Sequence, residues 1–412
     1  MCPQHASWIA DSLDPVWAAR SDYPRVEELA PGFLLHAGRS NNYVLETSAG
    51  LLVIDPGDRT TCDSLFDAVR AWSEKPVHTV VYTHGHVDHV CGLSRFLDEG
   101  ARPAIVAQEN ILERFRRYRL THGFNEHINR RQSGNPNLLF PERFDEPTQV
   151  FRDEMTLRVG ELDVRFRAAR GETDDSCYVW IPQRKALFVG DLATWKVPNA
   201  GNPQKVQRYP VEWADALERM ADLGAEWLCP GHDLVLRGAG NIRTLLLDHA
   251  AYLRSLIGQV LERMNAGESY EEILLGVRPD PELAARPYIR QVWNHSSFVV
   301  RDLLRLWGGW WNGCAADLLP IARERWSGEI ARLAGGVDVL VERGRRLLIE
   351  GDLPLAAMVC EWAVAAAPQE QRALELKRDV YARRAEAEAA GIARGAFRAA
   401  RDDAARALDR LS

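Results

Sequence analysis

The stretch Val80-Val81-Tyr82-Thr83-His84-Gly85-His86-Val87-Asp88-His89 is an apolar strand that breaks into a ligand-dense loop. Three histidines and one aspartate fall within six residues there. Neutral imidazoles and carboxylates are donors that zinc, iron and manganese accept. A tight loop can direct His84 and His86 to one ion and leave Asp88 and His89 for a second. A polar surface turn is the competing reading, but so dense a run of histidine is far from ordinary composition. A hydroxide held between two ions about 3.5–4 Å apart is a nucleophile at neutral pH. The chain offers no other obvious nucleophile. It has no G-x-S-x-G, and Gly238-Ala239-Gly240 lacks the lysine and spacing of a phosphate loop.

Such a loop needs a rigid frame. Residues 42–45 and 51–54 are apolar runs flanking Ser48-Ala49-Gly50, a hairpin signal, and Asp55-Pro56-Gly57 closes the second strand. Residues 65–72 have helical spacing, and 77–82 form a valine-rich strand. Further strands are expected at 104–107, 162–168, 178–181, 187–189 and 227–228, which implies a layered α/β domain. After about Gly240 strand signals almost vanish. Helical periodicity covers 242–265 and 298–307, and 337–368 reads as a helix–turn–helix with Gly351-Asp352 as its turn. Ala, Arg and Glu dominate the last forty residues, as in a long exposed or self-associating helix. The domain boundary is expected near 240–248.

The 412 residues suggest two or three domains. The net charge of −7 gives no electrostatic drive toward nucleic acid or anionic membrane. No apolar run is long enough to span a bilayer, and Met1-Cys2-Pro3-Gln4-His5 does not open a signal peptide. The seven cysteines are scattered without a C-x-x-C pair, a pattern of reduced thiols in a cytoplasmic protein.

With its complete H-x-H-x-D-H signature at His84, His86, Asp88 and His89, the chain resembles the metallo-β-lactamase superfamily over about residues 25–240. The resemblance implies an α/β fold, the αββα sandwich of two face-to-face sheets with helices outside, the metals lying at one edge. It implies that Asp55 buttresses the metal loop. Asp191, in Phe188-Val189-Gly190-Asp191, resembles the carboxylate that bridges both metals. His232, in Cys229-Pro230-Gly231-His232, resembles the last ligand of the second metal. Where the family usually has Gly-His-Thr, this chain has Arg170-Gly171-Glu172-Thr173-Asp174-Asp175-Ser176. Glu172 stands in the histidine slot, with Asp174 and Asp175 as alternatives. With Asp88, Asp191 and Glu172 ionised, a bridging hydroxide would bring the shell of two divalent ions to neutrality.

Beyond residue 240 the chain resembles the dimerisation domain of the alkyl sulfatases, a branch of the same superfamily. The matching stretches are Leu261-Glu262-Arg263-Met264-Asn265-Ala266-Gly267, Leu306-Trp307-Gly308-Gly309-Trp310-Trp311-Asn312-Gly313 and Gly351-Asp352-Leu353. That branch also replaces the histidine by glutamate, one residue further along. It normally has Glu where Asp191 stands and continues the Gly–Trp segment as Tyr-Asp-Gly-Asn-Pro. Its sterol-carrier-like carboxy-terminal domain has no counterpart here. The resemblance implies a catalytic domain over 1–245, with an insertion at about 109–150, and an all-α helical domain over 246–412.

Substrate contacts are read from position. The insertion carries Arg114, Arg116, Arg117, Arg119, Arg130 and Arg131, and its length suggests a lid or partner arm, most of these arginines being solvated or paired. The loop after Asp191 must pass the mouth of the site, so Lys205 and Arg208 are its anion contacts. Asn42, with Arg39 and Asn41 at the start of the first hairpin, also reaches toward the mouth. His122 and His127 are candidate proton donors that more often are simply exposed, and Cys91 and Cys229 read as buried spectators. Trp307, Trp310 and Trp311 suit either a core or a dimer interface. The expectation is a dinuclear hydrolase with two divalent ions, zinc first and manganese or iron next. Asp88 and Asp191 are its catalytic carboxylates, and a small-molecule sulfate ester is its first substrate. Thioester, lactone, β-lactam and phosphodiester hydrolysis are the alternatives. A homodimer through the helical domain is expected, without nucleic-acid or membrane partners. The non-enzyme alternative is a metal-stabilised assembly module; His86 argues against a redox di-iron site, which typically has glutamate there.

Overall fold

Valine, leucine, isoleucine and phenylalanine dominate the central strands, and several strands are buried on both faces, as expected for sheets covered on each side. The computed structural model describes residues 7–13 and 24–411; the amino-terminal segment with Cys2 lies outside them. The strands are β1 (Ile9–Ala10), β2 (Arg25–Ala30), β3 (Phe33–Ala37), β4 (Asn41–Thr47), β5 (Gly50–Ile54), β6 (Val77–Val81) and β7 (Ala104–Gln108). They continue as β8 (Gln149–Phe151), β9 (Glu154–Val159), β10 (Leu162–Ala168), β11 (Cys177–Ile181), β12 (Ala186–Gly190), β13 (Trp227–Pro230) and β14 (Val235–Arg237).

Two seven-stranded sheets result, one ordered β2-β3-β4-β5-β6-β7-β8 and the other β1-β14-β13-β12-β11-β10-β9. In the first, β2 to β5 pair antiparallel and β5 to β8 pair parallel. The inner faces meet in a core that includes Phe33, Tyr43, Leu45, Phe166 and Phe188. A second core lies between the first sheet and the helices Cys62–Trp72 and Ile111–Leu120. This is the αββα sandwich, followed by a helical region.

The inter-sheet core does not stop at the sandwich. It runs through Trp213 into Leu245, Leu253, Val299 and Leu303, on the helices Ala239–Asn265 and Ser296–Gly308. Residue 245 therefore sits inside a helix packed on the sandwich. A separate core holds the helices Arg323–Ala334, Val337–Glu350, Leu353–Ala366 and Gln371–Ala387.

The last forty residues do not form one long exposed helix. The chain turns at Glu388–Ala390, and Gly391–Asp409 folds back on Gln371–Ala387 and onto the insertion helix His122–Ser133. Gly395 permits that second contact, because a Cβ there would lie 2.5 Å from the Gln132 carbonyl oxygen. Trp307, Trp310 and Trp311 are exposed rather than core, Trp310 at 71%. Strands β2, β8 and β9 are short or charged edge strands and β14 is only three residues long, so they carry no clear signal in the sequence; β3, inside its sheet, is a buried apolar strand not expected from the sequence.

Candidate metal centre

Parallel pairing of β5 with β6 puts the two strand ends side by side, and the metal loop starts there. Asp55, just past β5, adopts a left-handed backbone with φ 53°. Its carboxylate accepts the Thr83 N–H at 2.8 Å and the Thr83 hydroxyl at 2.7 Å, pinning the first residue of the loop. The His89 ring lies with Nδ1 2.9 Å from the same carboxylate. Nδ1 therefore carries a proton, which leaves Nε2, turned inward, as the atom a metal would take. Asp55 thus acts as the buttress expected of it.

Around that anchor the donor atoms converge. His84 Nε2 lies 2.9 Å from His86 Nδ1 and 3.9 Å from Asp191 Oδ2. His89 Nε2 is 3.5 Å from Asp191 Oδ1, and both atoms are buried without a hydrogen-bond partner. His232 Nε2 is 3.5 Å from both Asp88 Oδ2 and Asp191 Oδ2. His86 Nδ1 is 3.9 Å from Glu172 Oε1. Three overlapping sets have their donor atoms within 4.8 Å of one another: His84, His89 and Asp191; Asp88, His89 and His232; His86, Glu172 and Asp191. Ligands about 2.0–2.2 Å from a tetrahedral ion stand about 3.5 Å apart, so the spacings suit divalent cations.

The electrostatics agree. Burial lowers His84 to about 4, which keeps its imidazole in the neutral form that binds metal. Against the cost of burial, the carboxylates of Asp191, Asp55 and Asp88 raise His89 to about 10. That is a pocket with surplus negative charge, where a cation can take the proton's place. The two orphaned atoms, the spacings and the donor chemistry all fit metal.

Backbone approach is tight. A Cβ on Gly231 would lie 2.6 Å from His89 Cε1 and 2.7 Å from Asp191 Oδ1. Only glycine leaves room for the turn that presents His232.

Glu172 is 6% exposed, and burial raises its carboxyl despite the Arg208 guanidinium beside it. Its Oε1 pairs with Arg208 Nη1 and accepts Asn199 Nδ2 at 2.8 Å. The alternatives, Asp174 and Asp175, are not brought to the donor cluster. Both pair with Arg114, through Nη2 to Asp174 and Nε at 2.7 Å to Asp175. Asp175 also accepts the Gly85 N–H at 2.7 Å. Arg114 and Asp175 are thus a buried brace under the His84–His86 turn, which residue types alone did not reveal. The signal was available: Arg114 occupies the apolar register of Ile111, Phe115 and Tyr118. The neighbouring arginines are exposed or paired, as with Arg116 to Glu113 and Arg119 to Glu146.

The cluster opens on a cavity of about 310 Å³ whose lining includes Asp88, Glu172, Asp191, Lys196, Lys205 and Arg208. Helix His122–Ser133 contributes Asn129 and Gln132 to its wall, so the insertion covers the site. Lys205 Nζ donates to Asn129 Oδ1 at 3.0 Å.

Asn42 is a correction. It is fully buried, accepts from His36 Nδ1 at 2.9 Å and lies away from the cavity lining. Antiparallel register sets Asn42 opposite His36, so its side chain stays within the sheet's own packing. Neither His122 nor His127 lines the cavity; they meet the Phe140 carbonyl and Arg131. Cys91 and Cys229 are buried thiols.

The loop after Asp191 is shaped by the helical region. Val197 N–H donates to the Arg290 carbonyl at 3.0 Å, and Asn294 Nδ2 to the Pro198 carbonyl at 3.0 Å. A Cβ on Gly201 would lie 2.1 Å from the Phe298 carbonyl oxygen. Asp302, buried in the helix Ser296–Gly308, accepts the Arg208 N–H at 2.8 Å and Gln207 Nε2 at 2.8 Å.

Comparison with known proteins accords with this geometry. Residues 36–232 match the model of the metallo-beta-lactamase superfamily, and 269–406 match that of alkyl sulfatase dimerisation. The chain carries a metallo-β-lactamase superfamily domain over residues 36–232 and an alkyl-sulfatase-type dimerisation domain over 269–406. It is 25% identical to a linear primary-alkylsulfatase of a Pseudomonas species, over 81% of this chain and 68% of the relative. It is 24% identical to an alkyl/aryl-sulfatase of Saccharomyces cerevisiae, over 82% of this chain and 57% of the relative. The solved stereoselective inverting sec-alkylsulfatase Pisa1 from Pseudomonas superposes with a TM-score of 0.81 at 22% identity, over 93% of this chain and 65% of that one. The chain thus spans between about half and two thirds of these relatives' lengths. The superposition extends the family fold through the helical region.

Proposed function

We propose that this protein is a metal-dependent hydrolase of small or medium anionic esters, with a sulfate ester as its first substrate class. The observation that carries the reading is the convergence of seven donor side chains beside a cavity walled by Lys196, Lys205 and Arg208. Alkylsulfatase relatives from bacteria and yeast support sulfate as the anion. His84, His86, Glu172 and Asp191 would hold one divalent ion, and Asp88, His89, His232 and Asp191 the other. Zinc is the first choice, with manganese or iron next.

Bound ions of this kind supply Lewis acidity and make water acidic enough to act as a nucleophile near neutral pH. The chain's own residues do the rest. Asp191 ties the two donor groups together. Asp88 lines the cavity, where its carboxylate can orient the attacking water. Lys205 and Arg208 draw in the ester's anion, and Arg208 also offsets the charge of Glu172. Closure by the insertion helix limits access of bulk water.

We assign catalysis to the part up to residue 245 and dimerisation to residues 246–412, with helix Ala239–Asn265 as the joint. An exposed apolar ridge, with Trp310 at 71% and Leu319 at 87%, supports a homodimer. No described helix is long and apolar enough to cross a membrane. The described cysteines are free thiols, five of the six buried, which supports a reducing compartment such as the cytoplasm.

The test is elemental analysis of the purified protein, followed by turnover of sulfate, phosphate, thioester and lactone substrates before and after loading with Zn²⁺ or Mn²⁺. Bound metal with sulfate-ester turnover is the expected result. A folded protein that binds no metal and turns over none of them overturns the hydrolase reading, and preferential thioester or lactone turnover overturns the sulfate assignment.

A further inference from the structure

A second cavity of about 310 Å³ adjoins the first, with Phe124, Ile128, Pro203 and Val206 in its lining. The two share a wall of five residues: His86, Tyr118, Glu172, Lys205 and Arg208. One side of that wall is polar and holds the donor cluster; the other is largely apolar. An alkyl sulfate spanning both would place its sulfate with the donors and its chain on the apolar side. The ester oxygen between them would sit at the shared wall.

That oxygen leaves as an alkoxide unless something protonates it. His86 and Glu172 belong to the donor cluster. Arg208 is a guanidinium, which stays protonated and is bound to Glu172. Tyr118 is a phenol made less acidic by burial, and its hydroxyl is engaged by Arg114. Lys205 remains. Its side chain reaches the wall from the loop after Asp191, and Nζ has one hydrogen bond, to Asn129 Oδ1 at 3.0 Å, leaving two N–H bonds to offer.

We propose that Lys205 is the general acid that protonates the departing alcohol of a sulfate ester. Resting on the hydrolase reading above, the step runs as follows. Water oxygen bonds to sulfur, and the bond from sulfur to the alkyl oxygen breaks with its electron pair going to that oxygen. The Lys205 ammonium delivers a proton there, giving neutral alcohol. The proton released by the attacking water returns to the amine, and the products are alcohol and hydrogen sulfate. Burial, with Arg208 nearby, lowers Lys205 to about 8, so the amine is still charged at neutral pH yet gives up its proton more readily than a surface lysine.

Leaving-group dependence tests this. The full-length, metal-loaded wild type, Lys205→Arg and Lys205→Met are compared on decyl sulfate, whose alkoxide needs a proton, and on para-nitrophenyl sulfate, whose phenolate leaves unaided. Metal content confirms that each variant is intact. In both variants kcat for decyl sulfate should fall about 100-fold or more, the range for loss of a general acid, and kcat for para-nitrophenyl sulfate far less. Arginine keeps the charge and its N–H groups but does not give up a proton near neutral pH, so the arginine variant should not rescue decyl sulfate. In water enriched in heavy oxygen, the label should enter sulfate rather than alcohol. Equal losses on both substrates, rescue by arginine, or label in the alcohol would each overturn the role of Lys205 while leaving the hydrolase reading intact. A wild type that turns over neither ester overturns the sulfatase reading and this step with it.

Discussion

Asp175→Asn is the perturbation that best probes how the metal loop is held. Asp175 is 1% exposed, and its two oxygens accept Arg114 Nε and the Gly85 N–H, each at 2.7 Å. An asparagine can keep only one of these bonds, because its amide NH₂ would point at a second donor. Losing a hydrogen bond to a buried charge costs about 1.5–3 kcal/mol, and removing one partner of a buried ion pair about 3–5 kcal/mol. Arg114 keeps Asp174 as a partner, so the lower end applies, and we expect a loss of about 3 kcal/mol. For a unit of the sandwich's size that is a fall in Tm of about 6–12 °C. Gly85 lies between His84 and His86, so metal affinity should also drop, by about 10–100-fold as for other supports of metal ligands. Asp174→Asn is the contrast, since its side chain is 29% exposed, and should cost less than about 1 kcal/mol. Thermal melts with and without metal, and competition against a chromogenic chelator, measure both quantities. Wild-type metal affinity in Asp175→Asn, or equal damage from Asp174→Asn, would refute the brace.

Gly231→Ala forces a Cβ to 2.6 Å from His89 Cε1; it should destabilise by about 1–3 kcal/mol and lower metal stoichiometry, read by elemental analysis. Burial raises the Asp302 carboxyl to about 6, opposed by the Arg208 N–H and Arg305. A folded-state value above the unfolded one means that the folded chain holds the extra proton between about pH 4 and 6, so this group's contribution to stability falls as pH rises through that window. Asp302→Asn should flatten that slope in urea melts taken across it. Trp310→Ser together with Leu319→Ser removes the most exposed apolar side chains of the ridge and should shift sedimentation from dimer to monomer; an unchanged dimer would place the interface elsewhere.

The metal loop was legible because four of its donors follow one strand in six residues. The remaining donors, Glu172, Asp191 and His232, were legible through motif order, each following a run with a strand signature. What holds them was harder to see. Arg114 and Asp175 meet across 61 residues; the helical register of Arg114 with Ile111, Phe115 and Tyr118 marks it as inward-facing, but nothing local names its partner. Asn42 was misread because proximity to a hairpin does not say which face a side chain takes; cross-strand register with His36 decides that. The break at Glu388–Ala390 escaped notice because an alanine-rich stretch reads as helix until tertiary contacts bend it.

The loop that presents Lys205 and Arg208 takes its course from Arg290, Asn294, Phe298 and Asp302, the last of these 94 residues beyond Arg208. The cations are thus encoded in one stretch of the chain and their placement in another. Grafting the sandwich alone onto a new partner would carry the charges across and scatter them. For the same reason, inherited changes along the helix Ser296–Gly308 can retune which anion is accepted without altering any residue that touches it. A change in either region is therefore felt in the other.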